Sequence, residues 1–206
     1  MKKVMLALVV LGLATLACGI STANSNILFQ DDFSNSNSGW PNDQETGYVD
    51  GGYVIRVADA NKDSWVAAGQ SLPADVIVEV SAARRAGPEN NDYGVMCRVQ
   101  DLDNFYFFWI SSDGYQVIGK QENGKTSFLS SEQMEYTDGI KGGLNESNRI
   151  RAECVGNTLK LVVNGRTVSK VTDNTFTSGG DIGLAAGTFD EGGVEIFFDN
   201  LVVSKP

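Results

Sequence analysis

The chain has 206 residues, a formal net charge of −10 at pH 7, 42% hydrophobic residues and no histidine. So acidic a surface repels phosphate backbones and anionic lipid headgroups, which excludes nucleic acid as a partner and leaves membrane association to a covalent anchor. Without histidine there is no Ser-His-Asp or Cys-His nucleophile system, and the usual zinc ligand sets cannot be assembled.

Met1-Lys2-Lys3 is a short basic region, and Val4 to Ala17 is an uncharged, mostly apolar run. That run is shorter than the roughly 20 residues needed to span a bilayer. The basic-then-apolar order is that of a helical export signal over residues 1–17. It ends Thr15-Leu16-Ala17-Cys18, which resembles the lipobox of bacterial lipoproteins, with Thr15 where that family carries an aliphatic residue. The resemblance implies that Cys18 becomes the lipidated first residue after cleavage. The alternative is an ordinary signal peptide cut near Ala17, with Cys18 free or removed. Residues 18–26 are small and polar and read as a tether. The expectation is an exported chain held to the cell membrane by its lipid, facing the extracytoplasmic side.

From residue 27 to 206 the pattern is that of one all-β domain. Residues 27–33, 53–59, 75–83, 104–111, 157–164 and 194–203 alternate in polarity and are rich in Val, Ile, Phe and Tyr, side chains that pack well on a pleated surface. Asp113-Gly114, Asn123-Gly124, Gly156-Asn157 and Asn164-Gly165 punctuate them, as hairpin turns that need positive φ require. Short strands with regular turns predict an antiparallel two-sheet sandwich or barrel. Between residues 104 and 111, Phe105, Phe107 and Trp109 share one face and Tyr106, Phe108 and Ile110 the other. With both faces apolar, the second is also covered or lines a groove. In the preceding strand Tyr93, Val95, Cys97 and Val99 share a face opposite Met96, Arg98 and Gln100. Ile150, Ala152 and Cys154 likewise oppose Arg149, Arg151 and Glu153.

Of the three cysteines, lipid on Cys18 leaves Cys97 and Cys154, both in mid-strand and both exported to an oxidising setting. A Cys97–Cys154 disulfide is expected; the alternative is two unpaired buried thiols.

Residues 93–120 and 148–203, with Asp31-Asp32-Phe33 and Gly39-Trp40, resemble the concanavalin A-like, laminin-G-like jelly-roll domains carried by bacterial exported lipoproteins. They are similar to the 3-keto-disaccharide hydrolase-like and laminarinase-like groups of that superfamily. The carrying motifs run from Asn157 to Gly165 and from Gly180 to Leu184. They mark strand order and no activity. The resemblance spans residues 28–203 and implies a two-sheet antiparallel jelly roll in which the last strand pairs with the first. An enzyme of the laminarinase-like group would carry a Glu-x-Asp-x-x-Glu strand. The nearest candidate, Glu195 and Asp199 with Phe197 between them, lacks the middle acid, so no catalytic residue is assigned.

A sugar site needs an aromatic for the CH face of the ring and planar polar groups for its hydroxyls. Arg98, Tyr106, Trp109 and Tyr115 are the candidate glycan-binding surface. The alternative places Tyr106 and Trp109 in the core and pairs the arginines with acids. Trp40 and Trp65 read as packing under loops. No cofactor is required. A structural Ca2+ is considered at Asp31, Asp32 and Asp199, which come together if the terminal strands pair; Asp101 and Asp103 crowd another loop. The function expected is non-catalytic binding of polysaccharide or another surface ligand. The alternatives are a glycan-active hydrolase of this fold and a protein-interaction or scaffolding domain.

Overall fold

The computed structural model of the protein describes residues 26–206. The signal of residues 1–17, Cys18 and the tether as far as residue 25 lie outside the described residues. In chain order the strands are β1 (Ile27–Asp31), β2 (Thr46–Val49), β3 (Gly52–Val57), β4 (Lys62–Ala67), β5 (Val76–Ala86), β6 (Asn91–Asp101), β7 (Asn104–Ile110), β8 (Tyr115–Glu122), β9 (Lys125–Phe128), β10 (Glu135–Tyr136), β11 (Asn148–Val155), β12 (Thr158–Val163), β13 (Arg166–Thr172), β14 (Asp181–Thr188) and β15 (Val194–Ser204).

They form two antiparallel sheets. The first runs β13-β12-β11-β5-β15-β3-β2, and β1 continues the edge of β15 that β3 begins. The second runs β10-β8-β7-β6-β14-β4, with β9 and β10 taking successive stretches of one edge of β8. Strand β1 pairs with β15, Asp31 opposite Leu201, so the terminal strands close the sheet as the sequence predicted. Asn123, Gly124, Asn164 and Gly165 all have positive φ, the backbone that their hairpins need.

The main core lies between the sheets. Val76, Val78 and Val80, with Ile150, Ala152 and Cys154, enter from the first sheet, and Tyr93, Val95, Cys97, Tyr106 and Phe108 from the second. Cys97 and Cys154 are bonded across the layers, with Cα atoms 6.8 Å apart. The opposite face of the first sheet is charged. Glu79 accepts from Arg149 at 2.5 Å and Arg151 at 2.9 Å, and Glu153 accepts from Arg151 and Lys160. Arg151 thus points away from the core, as expected. On that same charged face Glu195 pairs with Arg56 at 2.7 Å, and Phe197 lies 3.6 Å beneath the Arg85 guanidinium.

One expected face assignment is corrected. Arg98 has φ +51°, and the pairing of β6 shifts register there against both β7 and β14. A bulge of this kind inserts a residue and breaks the two-residue alternation. Val99 therefore leaves the Cys97 face and joins the apolar cluster on the other side of the sheet.

Candidate functional site

The outer face of the second sheet, turned away from the core, is apolar and nearly as buried as the core. Met96, Val99, Phe105, Phe107, Trp109, Val117 and Ala185 form it, with Trp65 and Met134 packed against them. Glycines explain how a sheet face seals without a covering layer. A Cβ on Gly119 would lie 2.1 Å from Phe107 Cζ, and one on Gly183 would lie 2.2 Å from Met96 Cε. Each large side chain lies flat over a neighbouring strand's glycine. The Phe107 and Trp109 rings stack at 3.8 Å between centroids. The apolar groove face expected from β7 is present, but it is filled by its own rings.

The packing changes character at one end. Register places Gly187 of β14 between Asp63 of β4 and Asp92 of β6. A Cβ on Gly187 would meet Asp63 Oδ1 at 2.2 Å and Asp92 Oδ1 at 2.4 Å, so the two oxygens are no further apart than the sum of those distances. Asp92 is only 4% exposed, and its Oδ1 has no hydrogen-bond partner among the described residues. Burial, and secondarily the charge on Asp63, pushes its pKa well above the usual carboxylate range. Asp63 is solvent-exposed as a residue, yet its carboxyl leans over the sheet and desolvation raises its pKa too. The indole Nε1 of Trp109, on the same face, is also buried without a partner.

Beyond this row opens a cleft of about 720 Å³. Its aromatic walls are Tyr115, Phe128 and Phe189; its planar polar groups are Asn61, Asn90 and Gln133; its charged residues are Asp113 and Asp190. Tyr115 and Phe128 are partly exposed, and Tyr136 stands edge-on to Tyr115 at 5.7 Å. The Ser111 hydroxyl donates to Asp113 and accepts from the Tyr115 amide at 2.9 Å, fixing the turn that presents the tyrosine. Gly114 in that turn has φ +97°.

The four residues expected to form a glycan surface separate. Tyr115 lines the cleft, and Trp109 belongs to the sheet face beside it. Arg98 is 2% exposed and spans the closed end of the sandwich. Its Nε donates to Ala74 O, Nη1 to Phe176 O and Nη2 to Gly156 O, each at 2.8 Å, and Nη2 also reaches Asp75 at 3.3 Å. The bulge turns this side chain beneath those loops. Tyr106 is fully buried in the main core. Its hydroxyl donates to Asp173 at 2.5 Å and accepts from the Phe176 amide at 3.0 Å, and burial pushes its pKa up to about 12. Arg98 and Tyr106 together anchor the segment carrying Phe176 and contribute nothing to an open surface.

The three aspartates considered for Ca2+ have separate local partners. Asp31 is buried and accepts from the Phe33 amide at 2.8 Å and from Trp40 Nε1 at 3.1 Å. Asp32 accepts from the Ser34 hydroxyl at 2.7 Å and from its amide, bonds that lower its pKa. Asp199 accepts from the Asn200 amide at 2.7 Å. Strand closure brings Asp31 opposite Leu201, but no three acidic side chains converge among the described residues. Trp40 packs in the main core and Trp65 on the outer face of the second sheet.

Sequence reasoning missed Asp63, Asp92, Asp190 and the asparagines of the cleft. No local motif marks them, because three strands distant in sequence bring them together. The one visible signal is Gly187, a glycine inside a strand, which marks a close approach of neighbouring groups.

The sequence matches no protein-family model and no curated protein. Solved structures align over nearly the whole described domain. A carbohydrate-binding module, CBM66, from Bacillus subtilis is 20% identical with a TM-score of 0.61, covering 87% of this chain and 98% of that one. A protein of unknown function with a galectin-like fold, also from Bacillus subtilis, is 9% identical with a TM-score of 0.67, covering 87% and 96%. A β-glucanase of Bacillus licheniformis is 11% identical with a TM-score of 0.59, covering 86% and 98%. The chain therefore shares their two-sheet jelly-roll fold.

Proposed function

We propose that the chain is a non-catalytic carbohydrate-binding module, exported and held at the extracytoplasmic face of the membrane by lipid on Cys18, and that it takes glycan in the cleft beside Asp92. The observation that carries the reading is the composition of that cleft. Partly exposed rings of Tyr115 and Phe128 suit the CH faces of sugars, and amides and carboxylates opposite them suit hydroxyls. That a carbohydrate-binding module and a β-glucanase share the fold supports the reading without supplying a site. Titration of the detergent-solubilised protein with soluble oligosaccharides, followed by tryptophan fluorescence, tests it. Tyr115→Ala and Asp190→Ala should each weaken binding at least about tenfold, the loss of one well-made contact. Binding unchanged in both variants would discard the cleft. For the anchor, labelled fatty acid should be incorporated by the natural chain and not by Cys18→Ser.

A glycan hydrolase is the second reading, and one observation favours it: two neighbouring carboxylates with pKa values raised by burial, the arrangement that places a proton donor beside a base. Release of reducing ends that disappears in Asp92→Asn would establish it.

A further inference from the structure

Strand β1 begins where residues 18–26 end, and a tether of that length reaches at most about 30 Å. Backbone register carries a single row from that point across the first sheet. Ile27 lies opposite Ser204, Ser204 opposite Ile77, Ile77 opposite Glu153, Glu153 opposite Lys160, and Lys160 opposite Lys170. Beside the row, the Lys205 amide donates to the Asn26 carbonyl at 2.8 Å. On the outer face of the sheet this row borders a depression of about 540 Å³, whose charged lining is Arg151, Lys160 and Lys170 against one acid, Glu153. Glu153 accepts from Arg151 and Lys160, whereas the exposed Lys170 and Lys205 form no ion pair among the described residues. A chain of net charge −10 thus gathers a local excess of positive charge at the end where its tether enters.

The glycan cleft lies at the other end of the sandwich. Strands β5 and β15 run side by side for eleven residues each, about 33 Å. Ile77 pairs with Ser204 at the tether end, and Ala86 pairs with Glu195 at the far end. The loops that carry Asn61, Asn90, Phe189 and Asp190 into the cleft leave from that far end, and the charged residues there are acids, Asp113 and Asp190.

We infer that the basic tether end docks on the phosphates of anionic lipid headgroups through Arg151, Lys160, Lys170 and Lys205, and so turns the glycan cleft away from the bilayer. The inference rests on the lipid-anchor reading above. Net negative charge keeps the free chain off such a surface. Once the lipid holds β1 within reach of it, local charge decides which end approaches: the cations are attracted within a Debye length, and the acids of the cleft are repelled.

The test is lysine acetylation, read by mass spectrometry, of the chain purified with its lipid and placed in two kinds of vesicle at low salt. One is phosphatidylcholine alone, the other phosphatidylcholine mixed with phosphatidylglycerol. Lys160, Lys170 and Lys205 should react at least about fivefold more slowly on the anionic vesicles, the fold-change that one cation's attraction to such a surface amounts to. Lys62, exposed beside Asn61 at the cleft end, should react alike on both. Molar salt should abolish the difference. Lys170→Glu, at an exposed residue where folding is not at stake, should bring Lys160 and Lys205 to similar rates on the two vesicles. Equal rates in the natural chain, slowing of Lys62 as great as that of Lys170, or a difference that survives Lys170→Glu overturns the inference while leaving the anchor in place. A chain that carries no lipid and stays off both vesicles removes the anchor reading and the inference with it.

Discussion

The bond between Cys97 and Cys154 joins β6 of one sheet to β11 of the other and closes a loop of 57 residues. Chain-entropy accounting for a loop of that length gives about 4 kcal/mol of stabilisation, exerted on the unfolded chain. Both cysteines are completely buried, so reduction of the folded protein should be slow, and reduction should become fast only once the chain unfolds. For a domain of this size about 1 kcal/mol moves Tm by roughly 2–4 °C. Reduced protein, with its thiols alkylated after unfolding and refolding where that succeeds, should therefore melt roughly 8–16 °C below the oxidised form. Cys97→Ala with Cys154→Ala should fall at least as far, since two sulfur atoms also leave the core. Differential scanning calorimetry with and without reductant, alongside thiol counting in denaturant, decides the matter. Two reactive thiols in the unreduced, unfolded protein, or a Tm change of less than about 3 °C, would refute the staple.

Arg98→Ala should cost about 3 kcal/mol or more in urea unfolding, because three backbone carbonyls and Asp75 lose their donor at once in a buried place. Arg98→Lys should recover little, since an ammonium cannot reach the four acceptors that the guanidinium fork spans. Gly183→Ala should destabilise by about 2 kcal/mol, because its Cβ would lie 2.4 Å from the Val66 carbonyl oxygen. Asp92 holds its proton more tightly folded than unfolded, so its contribution is fully present below the ordinary carboxylate pKa and is lost as pH rises through the folded value. Asp92→Asn should thus raise Tm at neutral pH and leave it unchanged or lower near pH 3, read from the difference between the two proteins' Tm profiles. Tyr53, Tyr93 and Tyr106 are raised to about 12 by burial. They favour the unfolded chain as pH climbs from their ordinary value of about 10, and tyrosinate absorbance should rise together with unfolding.

The sandwich was legible in residues 27–206 because strand alternation and turn chemistry are local. Asn123-Gly124 and Asn164-Gly165 announce their hairpins, and the faces of β7 follow from the order of six residues. Arg98 was misread because a bulge is not local in that sense. The positive φ of an arginine depends on what its side chain gains from Ala74, Phe176 and Gly156, residues far away in sequence. Tyr106 was placed on a surface although its own alternation put it beside Phe108, a core residue; its hydroxyl finds Asp173 inside the fold, which satisfies the polar end without water. Asp92 could not be found at all, since neither its strand nor its neighbours in sequence distinguish it from an exposed acid.

What positions the cleft is the point at which ring-over-glycine packing stops. Along the outer face of the second sheet, Gly119 and Gly183 each leave a space into which Phe107 or Met96 settles, and the face becomes dry. Over Gly187 the same space is filled by carboxylate oxygens of its neighbours on either side, Asp63 and Asp92. A glycine roofed by a hydrophobic side chain closes a dry surface, whereas one roofed by two carboxylates seats an unpartnered acid in that surface. One backbone device therefore produces two outcomes, decided by the residue opposite. Replacing Asp92 with leucine would extend the dry face by one row, and the protein should gain stability at neutral pH, as removal of a buried acid without a partner requires. A leucine variant that melted below the natural protein at neutral pH would refute this account of the face.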